Sequence, residues 1–176
     1  MIEIEIKAKA EHDALKKRLK QEGAAPEKTV DQTDIYFNAP DRDFGKTDEA
    51  LRLRDESGQF FVTYKGKKLD TLSKTRKEID VEVADFEKMK EIILCLGYRK
   101  TLEVHKSREI YHIEGALACL DTVDGLGEFV ELETLAVDES SIPERRDFLI
   151  KMLRQLGVQG DLIRESYLEM LLAKQK

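Results

Sequence analysis

Residues 2–9 read Ile-Glu-Ile-Glu-Ile-Lys-Ala-Lys, an alternation of apolar and charged side chains without a slip. Period-two patterning marks a β-strand with one buried face and one polar face. Ile2, Ile4, Ile6 and Ala8 fall on the first face, and Glu3, Glu5, Lys7 and Lys9 on the second. The direction of the charged face decides the fold. If it meets bulk water, this is an outer strand with no functional content. If it meets an enclosed space, it sets two carboxylates and an amine about 7 Å apart along one wall, the raw material of a metal and phosphate site.

The rest of the chain repeats the habit. Arg52 and Arg54 oppose Leu51 and Leu53, and Thr63 and Lys65 oppose Val62 and Tyr64. Lys74, Arg76, Glu78, Asp80 and Glu82 share a face whose reverse carries Ile79, Val81 and Val83. Lys106 and Arg108 stand two apart, Glu131 and Glu133 alternate with Val130 and Leu132, and Asp121 lies on the strand before. One reading is an antiparallel sheet with a solvated outer face and helices on the other. Solvated faces ordinarily carry Ser, Thr, Gln and lone charges, whereas here bases and acids recur as i, i+2 pairs. A sheet curled into a barrel gives those faces a common interior and removes the sheet edges. Charges enclosed in this way need compensation. A polyphosphate with a divalent cation supplies it, because bases take phosphate oxygens and carboxylates take the metal.

The chain has 176 residues, 41% hydrophobic and 38% charged, with a net charge of −6. That length fits one domain over residues 1–176, and the acidic balance argues against a nonspecific nucleic-acid binder. No apolar run approaches a membrane span, and no leader precedes the first strand, so a cytoplasmic protein with reduced Cys95 and Cys119 is expected. Helices are predicted at 11–23, 85–96 and 143–156, closed by Gly23, Gly97 and Gly157, with a last short one capped by Ser166. Strands are predicted at 29–38, 51–55, 59–65 and 74–83, with three more between 98 and 133. Ser57-Gly58 forms a hairpin turn, and Asn38 to Gly45 a loop.

Read together, these elements resemble the CYTH or triphosphate tunnel metalloenzyme family, which includes class IV adenylyl cyclases and thiamine triphosphatases. The resemblance rests on Glu3-x-Glu5-x-Lys7 at the N-terminus, Asp34 to Phe37, Leu51 to Arg54, Thr63 to Lys65, and Arg76 with Glu78. It continues through Lys106 with Arg108, Asp121, and Glu128 to Glu133, all in family order. It implies an α+β fold: a closed, eight-stranded antiparallel β-barrel, or tunnel, with helices packed outside. It also implies that Glu3, Glu5, Glu78, Asp121, Glu131 and Glu133 are metal ligands or their supports, with Mg²⁺ or Mn²⁺ as the metal. Lys7, Arg52, Arg54, Lys65, Arg76, Lys106 and Arg108 would hold the triphosphate, and Glu3, Glu5 and Lys7 would be catalytic. A small-molecule triphosphate is the implied partner, with neither nucleic acid nor membrane, and a homodimer follows from the resemblance alone.

Two reactions share such a site: cyclisation of ATP, and hydrolysis of thiamine triphosphate, a nucleoside triphosphate or tripolyphosphate. A binder of polyphosphate without chemistry gains nothing from the carboxylates. The tail Glu165 to Leu171 is similar to the Ser-Tyr tail of the cyclase-like branch, and the chain has no Trp to serve as a thiamine platform. His12, His105 and His112 lack metal-ligand spacing and are expected to be structural. Asp124-Gly-Leu-Gly127 reads as a turn, and Lys67-Lys68 as a solvated loop pair.

Overall fold

The computed structural model describes residues 2–69 and 73–175. Eight strands close into an antiparallel barrel in the order β1-β5-β4-β3-β2-β6-β7-β8. They are β1 (Ile2–Lys9), β2 (Ala25–Asn38), β3 (Ala50–Glu56), β4 (Gln59–Lys68), β5 (Arg76–Val83), β6 (Arg99–Ile113), β7 (Ala116–Val123) and β8 (Gly127–Ala136). The helices are α1 (His12–Gln21), α2 (Phe44–Thr47), α3 (Phe86–Cys95), α4 (Ile142–Gln155) and α5 (Tyr167–Lys174), and a 3-10 turn at Glu139–Ser141 leads into α4. Among the described residues no helix is long and apolar enough to cross a membrane.

The first strand's apolar face points outward, so the charged face points in. Ile4, Ile6 and Ala8 pack with Leu15 and Leu19 of α1 and with Leu149, Met152 and Leu153 of α4, alongside Leu120 and Leu132. Helices thus seal one side of the barrel, and α3 seals another by setting Ile93 against Ile35, Phe37 and Leu53. A third apolar cluster forms inside the wall. Tyr36, Val104, Val123 and Phe129 pack around Tyr167, which α5 carries.

Local signals place the turns. Ser57 and Gly58 both adopt positive φ, 51° and 89°, as a two-residue turn between twisted strands requires. Asp85 caps α3 by accepting from Lys88 N, and Ser166 with Glu169 forms a capping box that starts α5. The wall closes where β1 meets β5, and that ladder is short. Glu3 lies opposite Arg76, and Lys74 N donates to Glu5 O at 3.0 Å.

Three readings shift. β2 begins at Ala25, earlier than its alternation suggested, because it pairs with the long β6 as far as His112. The loop after Asn38 contains α2, whose Asp43 side chain accepts from Gly45 N. Lys68 is no solvated loop residue: it ends β4, and its Nζ bonds Asp48 Oδ1 at 2.7 Å.

Leu149 is fully buried between α4 and the β1 wall. Leu149→Ala is expected to destabilise the fold by about 2–5 kcal/mol, measured by urea unfolding. A loss below about 1 kcal/mol would mean that α4 does not hold this wall.

Candidate active site in the barrel lumen

Alternation along each strand, together with register, brings the charged residues of distant segments to one enclosed space. Glu5 lies opposite Glu133, and Lys7 opposite Glu131, across the β1–β8 ladder. The carboxylates of Glu3, Glu5 and Glu133 each place one oxygen within 4.8 Å of the others. A cavity of about 460 Å³ is lined by these three and by Arg52, Arg54, Lys65, Arg76, Glu78, Lys106, Arg108 and Glu131. These are all but two of the residues singled out from the sequence.

The two exceptions, Lys7 and Asp121, lie outside the cavity lining, under the tail. Lys7 Nζ donates to the Glu165 carbonyl and stands 4.1 Å from the centroid of the Tyr167 ring. Asp121 accepts from Lys106 at 3.0 Å, from Arg108 at 2.6 and 2.7 Å, and from the Tyr167 hydroxyl at 2.9 Å. Tyr167 therefore closes over a bed of charge, with Lys106 also 5.0 Å from its ring centroid.

The acids divide into two groups by compensation. Burial alone would raise the carboxyl of Asp34, but Arg54 and Arg52 hold it well below the usual range. Arg54 grips it bidentately at 2.6 and 2.7 Å. The Glu131 carboxyl, likewise buried, is held low by Lys74, Arg108 and Lys106. Burial raises that of Glu78 too, yet Lys65 at 2.6 Å overrides it. Glu3 and Glu5 behave in the opposite way. Burial, then Glu133 and Glu78, pushes the Glu3 carboxyl up to about 8, and burial with Glu131 pushes that of Glu5 up to about 7. Burial, then the neighbouring Lys74, lowers the Lys7 ammonium to about 7.

Glu3, Glu5 and Glu133 thus form a convergent oxygen donor set, in which Glu5 accepts from Lys74 and Glu133 accepts from Arg108 at 3.0 Å. That arrangement fits a hard divalent ion such as Mg²⁺ or Mn²⁺. The facing wall offers donors. Arg52 gives NH2 to Thr63 Oγ1 at 2.9 Å, while its buried Nε has no hydrogen-bond partner. A phosphate oxygen would satisfy that group.

Sequence reasoning left Asp34, Lys74 and Tyr167, among other lumen residues, without a role. Asp34 lies within a stretch that carries the resemblance, and its alternation with Tyr36 marks the inward face. Lys74 continues the inward series of β5 two residues before Arg76. Only the fold shows that Tyr167 enters the barrel, since its local pattern is that of an amphipathic helix start. His12 is structural as expected, buried with Nε2 3.0 Å from Phe129 O.

Comparison with known proteins agrees with this geometry. The CYTH domain profile matches residues 1–167. A Methanocaldococcus jannaschii protein provisionally named an adenylate cyclase is 46% identical over 172 residues, covering 97% of this chain and 98% of that one. The solved structure of the PH1819 protein from Pyrococcus horikoshii has a TM-score of 0.92 at 44% identity, covering 98% of this chain and 99% of that one. A Hippeastrum protein, described as having a dominant triphosphatase activity, shares the fold at a TM-score of 0.69 and 17% identity, covering 98% and 95%.

The raised carboxyl of Glu3 predicts a pH signature. The folded state retains a proton that the unfolded chain releases between its ordinary value of 4.5 and about 8, so rising pH costs the metal-free protein stability across that window. Glu3→Gln has no proton to lose. Its thermal midpoint relative to wild type should therefore climb from about pH 5 to about pH 8. A difference that is flat or falls with pH would contradict the assignment.

Proposed function

Since the chain belongs to the CYTH domain family, we propose that its lumen binds a nucleoside triphosphate with a divalent cation and converts ATP to cyclic AMP and pyrophosphate. One observation carries the reading: a convergent acid triad on β1 and β8 faces arginines on β3 across the same cavity. An anion and a cation are both needed to neutralise such a space, and a metal–triphosphate complex brings both.

In this reading Glu3, Glu5 and Glu133 would hold the metal, which would polarise phosphoryl oxygens and lower the charge barrier to attack. Arg52, Lys65, Arg76, Lys106 and Arg108 grip the β- and γ-phosphates. Arg54 both presents a guanidinium to the cavity and fixes Asp34. Glu78, Glu131 and Asp121 support these bases by orienting Lys65, Arg108 and Lys106. Lys7 backs Glu131 from 3.9 Å and ties the tail to β1. With the terminal phosphates anchored, the α-phosphorus lies beside the triad, and the 3′-hydroxyl of the same nucleotide is the nearest nucleophile. The arginines stabilise pyrophosphate as it leaves.

Hydrolysis would use the same groups with the triphosphate shifted along the cavity, so that water meets the terminal phosphorus. The described activity of the Hippeastrum protein gives that alternative its support. Product analysis separates the two. ATP with Mg²⁺ or Mn²⁺ should give cyclic AMP and pyrophosphate, and tripolyphosphate should give little orthophosphate. Fast tripolyphosphate hydrolysis with no cyclic nucleotide would make this a triphosphatase.

Substitution maps the grip. Arg52→Ala should weaken triphosphate binding roughly tenfold or more, since a charge-assisted contact contributes ~1.5 to 3 kcal/mol. Exposed Lys67, changed to Ala, should bind as wild type. Equal losses at both positions in a calorimetric titration would remove the lumen assignment.

A further inference from the structure

Two lumen bases bond members of the acid triad: Arg108 donates to Glu133 at 3.0 Å, and Lys74 donates to Glu5. The Lys74 Nζ meets Glu5 at Oε1 and lies 3.4 Å from Glu131 Oε1. The segment that carries it is well fixed. Lys74 N donates to Glu5 O at 3.0 Å, and Leu69 N donates to Thr75 O at 2.8 Å. The Ser73 and Thr75 hydroxyls are 2.6 Å apart and buried. The ammonium is therefore a tethered cation seated among the carboxylates, within reach of the same Glu5 that a divalent ion would use.

We infer that Lys74 is a positioning residue that makes occupancy of the acid triad conditional on triphosphate. This rests on the proposed metal role of Glu3, Glu5 and Glu133. Without ligand, Lys74 neutralises Glu5 and Glu131, and a divalent ion entering alone meets a positive charge beside its site. Like charges at a few ångströms in a poorly solvated lumen oppose each other strongly. When a polyphosphate enters, its oxygens give the ammonium a second acceptor, and Glu5 is released to the metal. One residue thereby disfavours free metal and favours the anion, which couples the two ligands.

The coupling yields opposite signs that a purely structural role does not produce. Lys74→Met should bind Mn²⁺ alone about tenfold more tightly than wild type, read from the free-ion signal in electron paramagnetic resonance. The same variant should bind pyrophosphate in the absence of metal about tenfold more weakly, read by calorimetry. Lys74→Arg, which keeps the charge, should stay near wild type in both titrations. Circular dichroism checks that each variant is folded, and Lys74→Gln repeats both measurements if the methionine variant is not.

Loss of affinity for both ligands, or unchanged Mn²⁺ affinity, overturns the inference while leaving the metal role of the triad in place. Failure of both wild type and Lys74→Met to bind Mn²⁺ even with pyrophosphate present would overturn the metal role as well as the inference.

Discussion

The closed wall of charge is the constraint on which the rest of this structure depends. Ionised groups withdrawn from water are costly unless each meets an opposite charge or a ligand that supplies one. The barrel meets this by distributing acids and bases on the inward faces of its strands, so that partners far apart in sequence face each other. Asp34 with Arg54, Lys65 with Glu78, and Asp121 with Lys106 and Arg108 are settled pairs. Glu5 pairs with Lys74, yet burial and neighbouring acids still push its carboxyl and that of Glu3 up, and that singles out this end of the lumen. The outer apolar faces, clamped by α1, α3 and α4, supply the free energy that such an interior withholds.

Much of this was legible because β-strands write their geometry into the chain with period two. The eight-residue alternation of β1 told that one face was charged, and its repetition in β3, β5, β6 and β8 told that the faces shared a space. The hairpin at Ser57-Gly58 and the helix ends at Gly97 and Gly157 follow from local backbone chemistry. The inward direction of the charge was legible only because the pattern recurred and resembled a known family.

What stayed hidden was non-local. The division of the acids into those held low and those pushed up depends on which base lies opposite which acid, and thus on register. Lys74 and Arg76 have the same spacing and charge in the sequence, yet one reaches Glu5 and the other Asp48 of the β2–β3 connection, at 3.6 Å. Tyr167 was unreadable for a related reason. Its hydroxyl meets Asp121, 46 residues upstream, and no pattern in the tail encodes that contact.

The short ladder between β1 and β5 has a mechanical consequence. Among the described residues every other strand pair in the barrel is laced by several backbone registers, but this one is matched at Glu3 and Arg76, with Lys74 contacting Glu5 through both backbone and side chain. A cylinder joined so unevenly has a preferred line of parting. Its cohesion there comes from side-chain charge, which ions and phosphates can replace, whereas elsewhere it comes from amide pairing, which they cannot. The seam with the least amide pairing is thus also the one that borders the acid triad, so closure of the wall and charge balance of the lumen share a single side chain, Lys74.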